Sequence, residues 1–272
     1  MIQRKSVFDL SGKVTLITGG NGGLGMGFAR GIAKQGGDLV LWGRNLEKNK
    51  RSAMELEALG VKVMTMQVDV SSREQVVNAY QEIVKQMGRI DAVFANAGIP
   101  PPKHHSLLDV SPDEYHNLLA VNLHGAVYTL QEGARIMVER SIAGDPGGSL
   151  VFCGSLSMFK GLPGKEAYAI SKAGVGALIR CMASEMGQYG IRANSIAPGY
   201  IKTEMTGGAV HGQQQPQDEW TDIDRYFGAK TPVSRPGFPA DFEGIAAYLV
   251  SDASSFHSGD TIVIDGGAIV TG

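Results

Sequence analysis

Short apolar runs alternate with amphipathic stretches along the chain, and this alternation limits the fold more than any single residue does. Lys13–Thr18, Asp38–Trp42, Val61–Val68, Ile90–Ala95, Ser149–Cys153, Ile191–Ala197 and Thr261–Asp265 read as strands. Met26–Gln35, Leu46–Leu59, Arg73–Met87, a helix from Pro112 to Glu139 or Arg140, one starting at Lys165, and Pro239–Ser251 read as helices. Such spacing means right-handed βαβ crossovers and a parallel sheet covered on both faces. The near-continuous apolar strands agree with burial on both sides. No linker and no repeat beyond the βα unit interrupts residues 1–272, so a single α/β domain is expected.

Three segments depart from the alternation. Ile99–Lys103 holds three consecutive prolines and must be an ordered turn or polyproline loop. Asn122 falls inside the helix from Pro112, where its propensity is poor. From Thr203 to Arg235 no period emerges, with Gly207-Gly208, glutamines 213–215 and the aromatics Trp220, Tyr226 and Phe227 in succession. A stretch of that length in a compact domain is expected to be a functional lid, and its aromatics argue against disorder.

Charge and cysteine content narrow the partners. A formal net charge of -2 gives no support to nucleic-acid binding. No apolar run is long enough to span a membrane, and the start, with Arg4, Lys5 and Asp9, has no signal-peptide core. Cys153 and Cys181 lack metal-site spacing and cannot form a disulfide framework, which suits a reducing cytoplasm.

Two constellations carry chemistry. The first is Gly19-Gly-Asn-Gly-Gly-Leu-Gly25, between a strand and a helix. Gly19 allows a tight turn, Gly23 lets a pyrophosphate approach the backbone, and Gly25 lets helix and sheet pack closely. The helix start offers N–H groups and a positive dipole end to phosphates. The second is Ser155 with Tyr168 and Lys172. On a helix, Tyr168 and Lys172 share a face one turn apart. A strand end, the Gly161–Gly164 loop and that helix would bring Ser155 to them. A phenol with a reference pKa of about 10 is a poor acid or base at neutral pH. A neighbouring ammonium favours the phenolate, and a serine hydroxyl holds a substrate oxygen near it.

Thr18-Gly19-x-x-x-Gly23-x-Gly25, Asp69, Asn96-Ala97-Gly98, Asn122, Ser155, Tyr168-x-x-x-Lys172 and Pro198-Gly199, in this order and spacing, resemble the short-chain dehydrogenase/reductase family over essentially the whole length. The resemblance implies a Rossmann-like, seven-stranded, doubly wound sheet with a nicotinamide cofactor along its C-terminal edge. It implies Tyr168 as acid/base, Lys172 as the charge that lowers its pKa and binds the nicotinamide ribose, and Ser155 as holder of the substrate oxygen. Asn122 is implied to anchor a water between Lys172 and solvent; satisfaction by a neighbouring carbonyl is its other reading. Gly19, Asn21, Gly23, Leu24 and Gly25 would cradle the cofactor, with Arg44 and Asn45 at the adenosine end. Asp69 would accept from the adenine amino group, with Val70, Gly98 and Val121 nearby and Asn96 bracing the strand edge. Pro198, Gly199, Ile201 and Thr203 would close over the nicotinamide side. The helices from Pro112 and Lys165 resemble the family's dimer-forming pair, and the chain end resembles relatives whose last strand meets a partner. A homotetramer, otherwise a homodimer, is implied.

No carboxylate ends the second strand, where Gly43-Arg44-Asn45 stands, and a guanidinium there suits a 2′-phosphate. NADP(H) is therefore favoured over NAD, although Gly20-Asn21-Gly22 adds no basic residue. Ala95 replaces the family's usual second Asn before Asn96. The expected activity interconverts a small, apolar secondary alcohol and its ketone, in a pocket closed by Phe159, the loop after Gly98 and the 203–235 lid. A 3-oxoacyl-thioester reductase is the alternative, disfavoured by the acidic lid residues Glu204, Asp218, Glu219, Asp222 and Asp224. A non-catalytic NADP(H) sensor is disfavoured because Ser155, Tyr168 and Lys172 are all present.

Overall fold

The computed structural model describes residues 6–102, 106–207 and 216–271. Arg4, Lys5, Lys103, Gly208 and glutamines 213–215 lie outside them. Seven parallel strands form one sheet: β1 Val14–Thr18, β2 Asp38–Trp42, β3 Val63–Met66, β4 Ala92–Ala95, β5 Gly148–Cys153, β6 Ile191–Pro198 and β7 Thr261–Ile264. Their order is β3-β2-β1-β4-β5-β6-β7, as the sequence predicts for a doubly wound sheet. The order reverses between β1 and β4, so the loops after these strands diverge and leave a crevice at their carboxyl ends.

The helices are α1 Gly23–Ala33, α2 Leu46–Glu57, α3 Arg73–Met87, α4 Pro112–Leu119, α5 Gly125–Ile142, α6 Glu166–Met186, α7 Asp222–Ala229 and α8 Glu243–Val250. Alternate residues of each strand feed opposite cores. Leu16, Val40 and Trp42 pack with Tyr80 and Ile83 of α3, Leu130 of α5 and Ile179 of α6. Ile17, Leu39 and Leu41 pack with Phe28 of α1, Leu56 of α2 and Phe242 and Leu249 beside and within α8. The inner strands are thus covered on both faces, the edge strands β3 and β7 only in part, and the functional groups gather at the strand ends.

The structure departs from the periodicity reading in three places. The helix from Pro112 is broken by a π turn at Ala120–His124, in which Gly125 N–H donates to Ala120 C=O. Asn122 lies at its centre and is fully buried. The stretch Pro239–Ser251 begins as a 3-10 turn over Pro239–Phe242, because Asp241 accepts from Phe238 N–H at 2.8 Å and is clamped by Arg235 at 2.6 and 2.7 Å. The 203–235 region is not patternless: it contains α7, started by a capping box in which Thr221 and Asp224 satisfy each other's backbone N–H.

Candidate active site

The end of β1 is tied to the end of β4 by one hydroxyl. Thr18 Oγ1 accepts from the N–H groups of Asn96 and Ala97, both at 3.0 Å, and donates to Phe94 C=O at 3.3 Å. Asn96 Nδ2 donates to the carbonyls of Thr18 and Gly19 at 2.9 and 3.3 Å. These bonds brace the crevice where the two strands part. They also fix the start of the Gly-rich loop, whose Gly19 takes a φ of 62°.

Gly25 follows at the first turn of α1. A Cβ there would lie 2.2 Å from the Gly19 carbonyl oxygen, so the close return of helix onto loop requires glycine. The N-termini of α2, α3, α4 and α7 are capped by Asn45, Ser72, Ser111 and Thr221; α5, α6 and α8 have no side-chain cap, and neither has α1, which opens at the Gly-rich loop. Its first-turn N–H groups are left to a ligand, and no acidic side chain stands in that turn. The residues therefore fit a dinucleotide pyrophosphate.

A groove of about 490 Å³ runs from this loop to the β5–α6 junction. Gly19, Asn21, Gly23 and Leu24 form one end, with Arg44, Asp69 and Val70 beside them. Asn96, Gly98 and Val121 form the floor, and Pro198, Gly199, Ile201 and Thr203 the far wall. Ser155, Tyr168 and Lys172 line its other end. Four expected residues are placed differently. Gly25 packs beneath the groove, and Asn45 spends its Oδ1 on Lys48 N–H at 2.9 Å as the cap of α2. Asn122 sits behind the wall: it accepts from Ile99 N–H at 2.8 Å and donates to Ile99 C=O at 3.0 Å. Phe159 is half exposed and does not line the groove.

The Asp69 carboxylate has a structural duty as well, accepting from Ser71 N–H and Oγ at 2.9 and 2.7 Å. The Ser71 hydroxyl chiefly holds it below the usual carboxylate range against the opposing effect of burial, and Arg44 adds to the effect. Arg44 is exposed, and its guanidinium has no side-chain partner among the described residues.

At the reactive end, Lys172 is only 4% exposed. Its Nζ donates to Cys153 C=O at 2.7 Å and lies 5.6 Å from the Tyr168 ring centroid. Among the described residues no carboxylate pairs with it, so Nζ is held by a backbone carbonyl and by the Phe152 ring, 4.9 Å away, beside the phenol. Ser155, at the end of β5, accepts from Ser157 N–H at 3.2 Å and keeps its own proton for another acceptor. Cys153 supplies its carbonyl but not its thiol, which burial pushes up despite the Lys172 charge.

The far wall is pinned from behind. Asp224 is 1% exposed and pairs with Lys202 at 2.9 Å, while Tyr200 Oη donates to it at 3.0 Å. Burial raises the Asp224 pKa, but bonds from Lys202, Thr221 and Tyr200 outweigh it and hold the carboxyl low. Burial and Asp224 push Tyr200 up to about 12. This pin joins α7 to the Ile201–Thr203 wall. Sequence reasoning missed it, and it missed Lys48, which also lines the groove with Glu204 and Met205 of the expected lid. Lys48 is a basic residue near Arg44 that the glycine loop itself lacks.

Residues 19–269 match the family model described as enoyl-(acyl carrier protein) reductase. The chain is 33% identical over 262 residues to an L-rhamnose 1-dehydrogenase (NAD(P)(+)) of Sphingomonas sp. (strain SKA58), covering 96% of this chain and 98% of that protein. It is 33% identical over 265 residues to a gluconate 5-dehydrogenase of Gluconobacter oxydans (strain 621H), covering 97% and 98%. A solved structure of a gluconate 5-dehydrogenase from Burkholderia cenocepacia J2315 in complex with NADP and tartrate matches with a TM-score of 0.85 at 32% identity, covering 97% of each chain.

Proposed function

The chain belongs to the short-chain dehydrogenase/reductase family, oxidoreductases that act on CH–OH groups with NAD(P), and on that premise we propose that it interconverts a small secondary alcohol and its ketone with Tyr168 as the acid/base. The observation that carries this reading is the buried, carboxylate-free Lys172 ammonium beside the Tyr168 ring, at the end of a groove that begins at an uncapped helix. A bound nicotinamide dinucleotide supplies hydride transfer to or from the carbinol carbon.

The chain's own residues handle the proton and the oxygen. Ser155 Oγ–H donates to the substrate oxygen and holds it near the phenol. In oxidation Tyr168 takes the hydroxyl proton; in reduction it returns one. Lys172 stabilises the negative charge that forms on the phenol oxygen, since a cation with no carboxylate nearby keeps its full field. Asn122 fixes Ile99 and thereby one wall of the pocket. Ile99, Ile201 and Met205 present apolar surface to the groove, which favours an apolar substrate.

NADP(H) is the cofactor we assign, supported by the unpaired Arg44 guanidinium and by the lack of a carboxylate at the end of β2. The chain acts as one domain, with 203–235 as its substrate lid. Ile223 and Tyr226 are exposed on α7, a surface suited to cover a bound substrate. The chain is read as a homo-oligomer, a tetramer or else a dimer; a groove of about 530 Å³ between α5 and α6, where Val127, Leu178, Met182 and Met186 stand beside Arg135 and Glu139, supports one interface between copies. No described helix is long and apolar enough to cross a membrane, and both cysteines are free, which suits a reducing compartment such as the cytoplasm. An acyl carrier is the lesser reading, because exposed Asp218, Glu219 and Asp222 on the lid would repel an acidic carrier protein.

A panel of secondary alcohols and ketones, assayed with both dinucleotides by nicotinamide absorbance, tests the proposal. Turnover of apolar ketones with NADPH is expected; turnover of carrier-linked thioesters alone would reject it.

A further inference from the structure

The groove holds a second cation where the β2–α2 segment returns to the Gly-rich loop. Lys48 stands in the first turn of α2, and helical side chains lean toward the helix N-terminus. Its ammonium therefore returns over the Gly-rich loop: a Cβ built on Gly22 would lie 2.5 Å from Lys48 Nζ. There it pairs at 2.6 Å with Glu204 Oε2, on the turn that follows the Thr203 wall. Lys48, Glu204 and Arg44 all line the groove. The pair thus spans from the β2–α2 segment to the β6–α7 segment over the glycine loop.

Glu204 is the more open partner, with its side chain 63% exposed against 26% for Lys48. An exposed pair of this kind contributes little to stability and exchanges readily. A phosphate dianion offers more charge and more acceptor oxygens than one carboxylate. Arg44 is close enough to Asp69 to affect its titration, which keeps the guanidinium at the same end of the groove. The neutral amides of Asn21 and Asn49, bonded to each other at 2.6 Å, pack over Gly43 in the same region and add no competing charge.

We propose that Lys48 is a second ligand for the 2′-phosphate of NADP(H), held in waiting by Glu204, so that binding exchanges a carboxylate for a phosphate and selectivity comes from Lys48 and Arg44 together. The inference rests on the NADP(H) reading above. It gives Glu204 a sign opposite to that of an ordinary binding residue: it competes with the phosphate for the same ammonium.

Isothermal titration calorimetry of the full chain with NADPH, NADH, 2′,5′-ADP and 5′-AMP tests this without turnover. Lys48→Met, which keeps the alkyl stem, should weaken NADPH and 2′,5′-ADP by about ten- to a hundredfold, the loss expected for a charge-assisted bond, and leave NADH and 5′-AMP nearly unchanged. Glu204→Gln should tighten NADPH and 2′,5′-ADP, and that gain should vanish in the Lys48→Met background. Equal weakening of all four ligands by Lys48→Met, or weaker NADPH binding in Glu204→Gln, would overturn the proposal. Arg44→Ala separates it from its premise. If Arg44→Ala discriminates NADPH from NADH and Lys48→Met does not, only the Lys48 assignment falls. If neither does, the NADP(H) reading falls with it.

Discussion

Lys172 Nζ donates a 2.7 Å hydrogen bond to the carbonyl oxygen of Cys153, which ties the first turns of α6 to the end of β5. The bond fixes where the ammonium sits and spares it from any carboxylate that would cancel its field. It also means that an ammonium is buried with one carbonyl and the rings of Phe152 and Tyr168, at 4.9 and 5.6 Å, in place of a counter-ion, which costs stability.

Function and stability should therefore move in opposite directions at this position. Lys172→Met should lower kcat/KM by about 10²–10³-fold, the range for removing one preorganised electrostatic group, while Tm stays level or rises. Steady-state kinetics and calorimetry on the same preparation check the pair of effects. A fall in Tm with activity retained would contradict it.

Asn122 satisfies both backbone groups of Ile99 from the centre of the π turn. In Asn122→Ala these two groups lose their partners at about 1–3 kcal/mol each. Denaturant unfolding should show a loss of roughly 2–6 kcal/mol on that basis, and the substrate KM should rise as the Ile99 wall loosens. A stability change under about 0.5 kcal/mol, the scale of an ordinary surface substitution, would show that the turn does not depend on this side chain.

The Lys202–Asp224 pin predicts an acid dependence. Because the folded Asp224 pKa is depressed, its contribution is present above the unfolded carboxylate value of about 3.9 and is lost as pH falls through the lower folded value. Asp224→Asn strands a buried ammonium and should cost about 3–5 kcal/mol at neutral pH. The gap between wild type and variant should begin to narrow below about pH 4 and close further as pH falls through the folded value. Thermal unfolding across pH 3–8 tests this, and a gap independent of pH would refute the assignment.

How much of this was legible in the sequence depends on the kind of signal. Arg73–Met87 was legible to the residue because Ser72 caps it and Gly88 ends it at a φ of 77°. The sheet was legible because the strands are short, mostly apolar runs that alternate with amphipathic helices. The π turn was not, since an Asn inside a helix looks like a weak helix residue until Ile99, distant in sequence, is seen to bond it twice. Helix α7 escaped because polar contacts hold it, Asp224 to Lys202 and Tyr200, with Phe227 stacked on Tyr200 at 4.2 Å. Its capping box, Thr221-x-x-Asp224, was the signal that could have found it. Lys48 escaped because it enters the groove from the first turn of α2 rather than from the loops themselves.

Tyr168→Phe is the most direct test of the account. The variant keeps the ring beside Lys172 and removes only the oxygen that carries the proton. The account predicts a loss of kcat of about 10²–10⁴-fold, the usual span of general acid–base catalysis, with dinucleotide affinity within about twofold by calorimetry, because affinity changes below about 0.4 kcal/mol mean no lost contact. Turnover within tenfold of wild type, or loss of dinucleotide binding alone, would contradict the role given to this phenol.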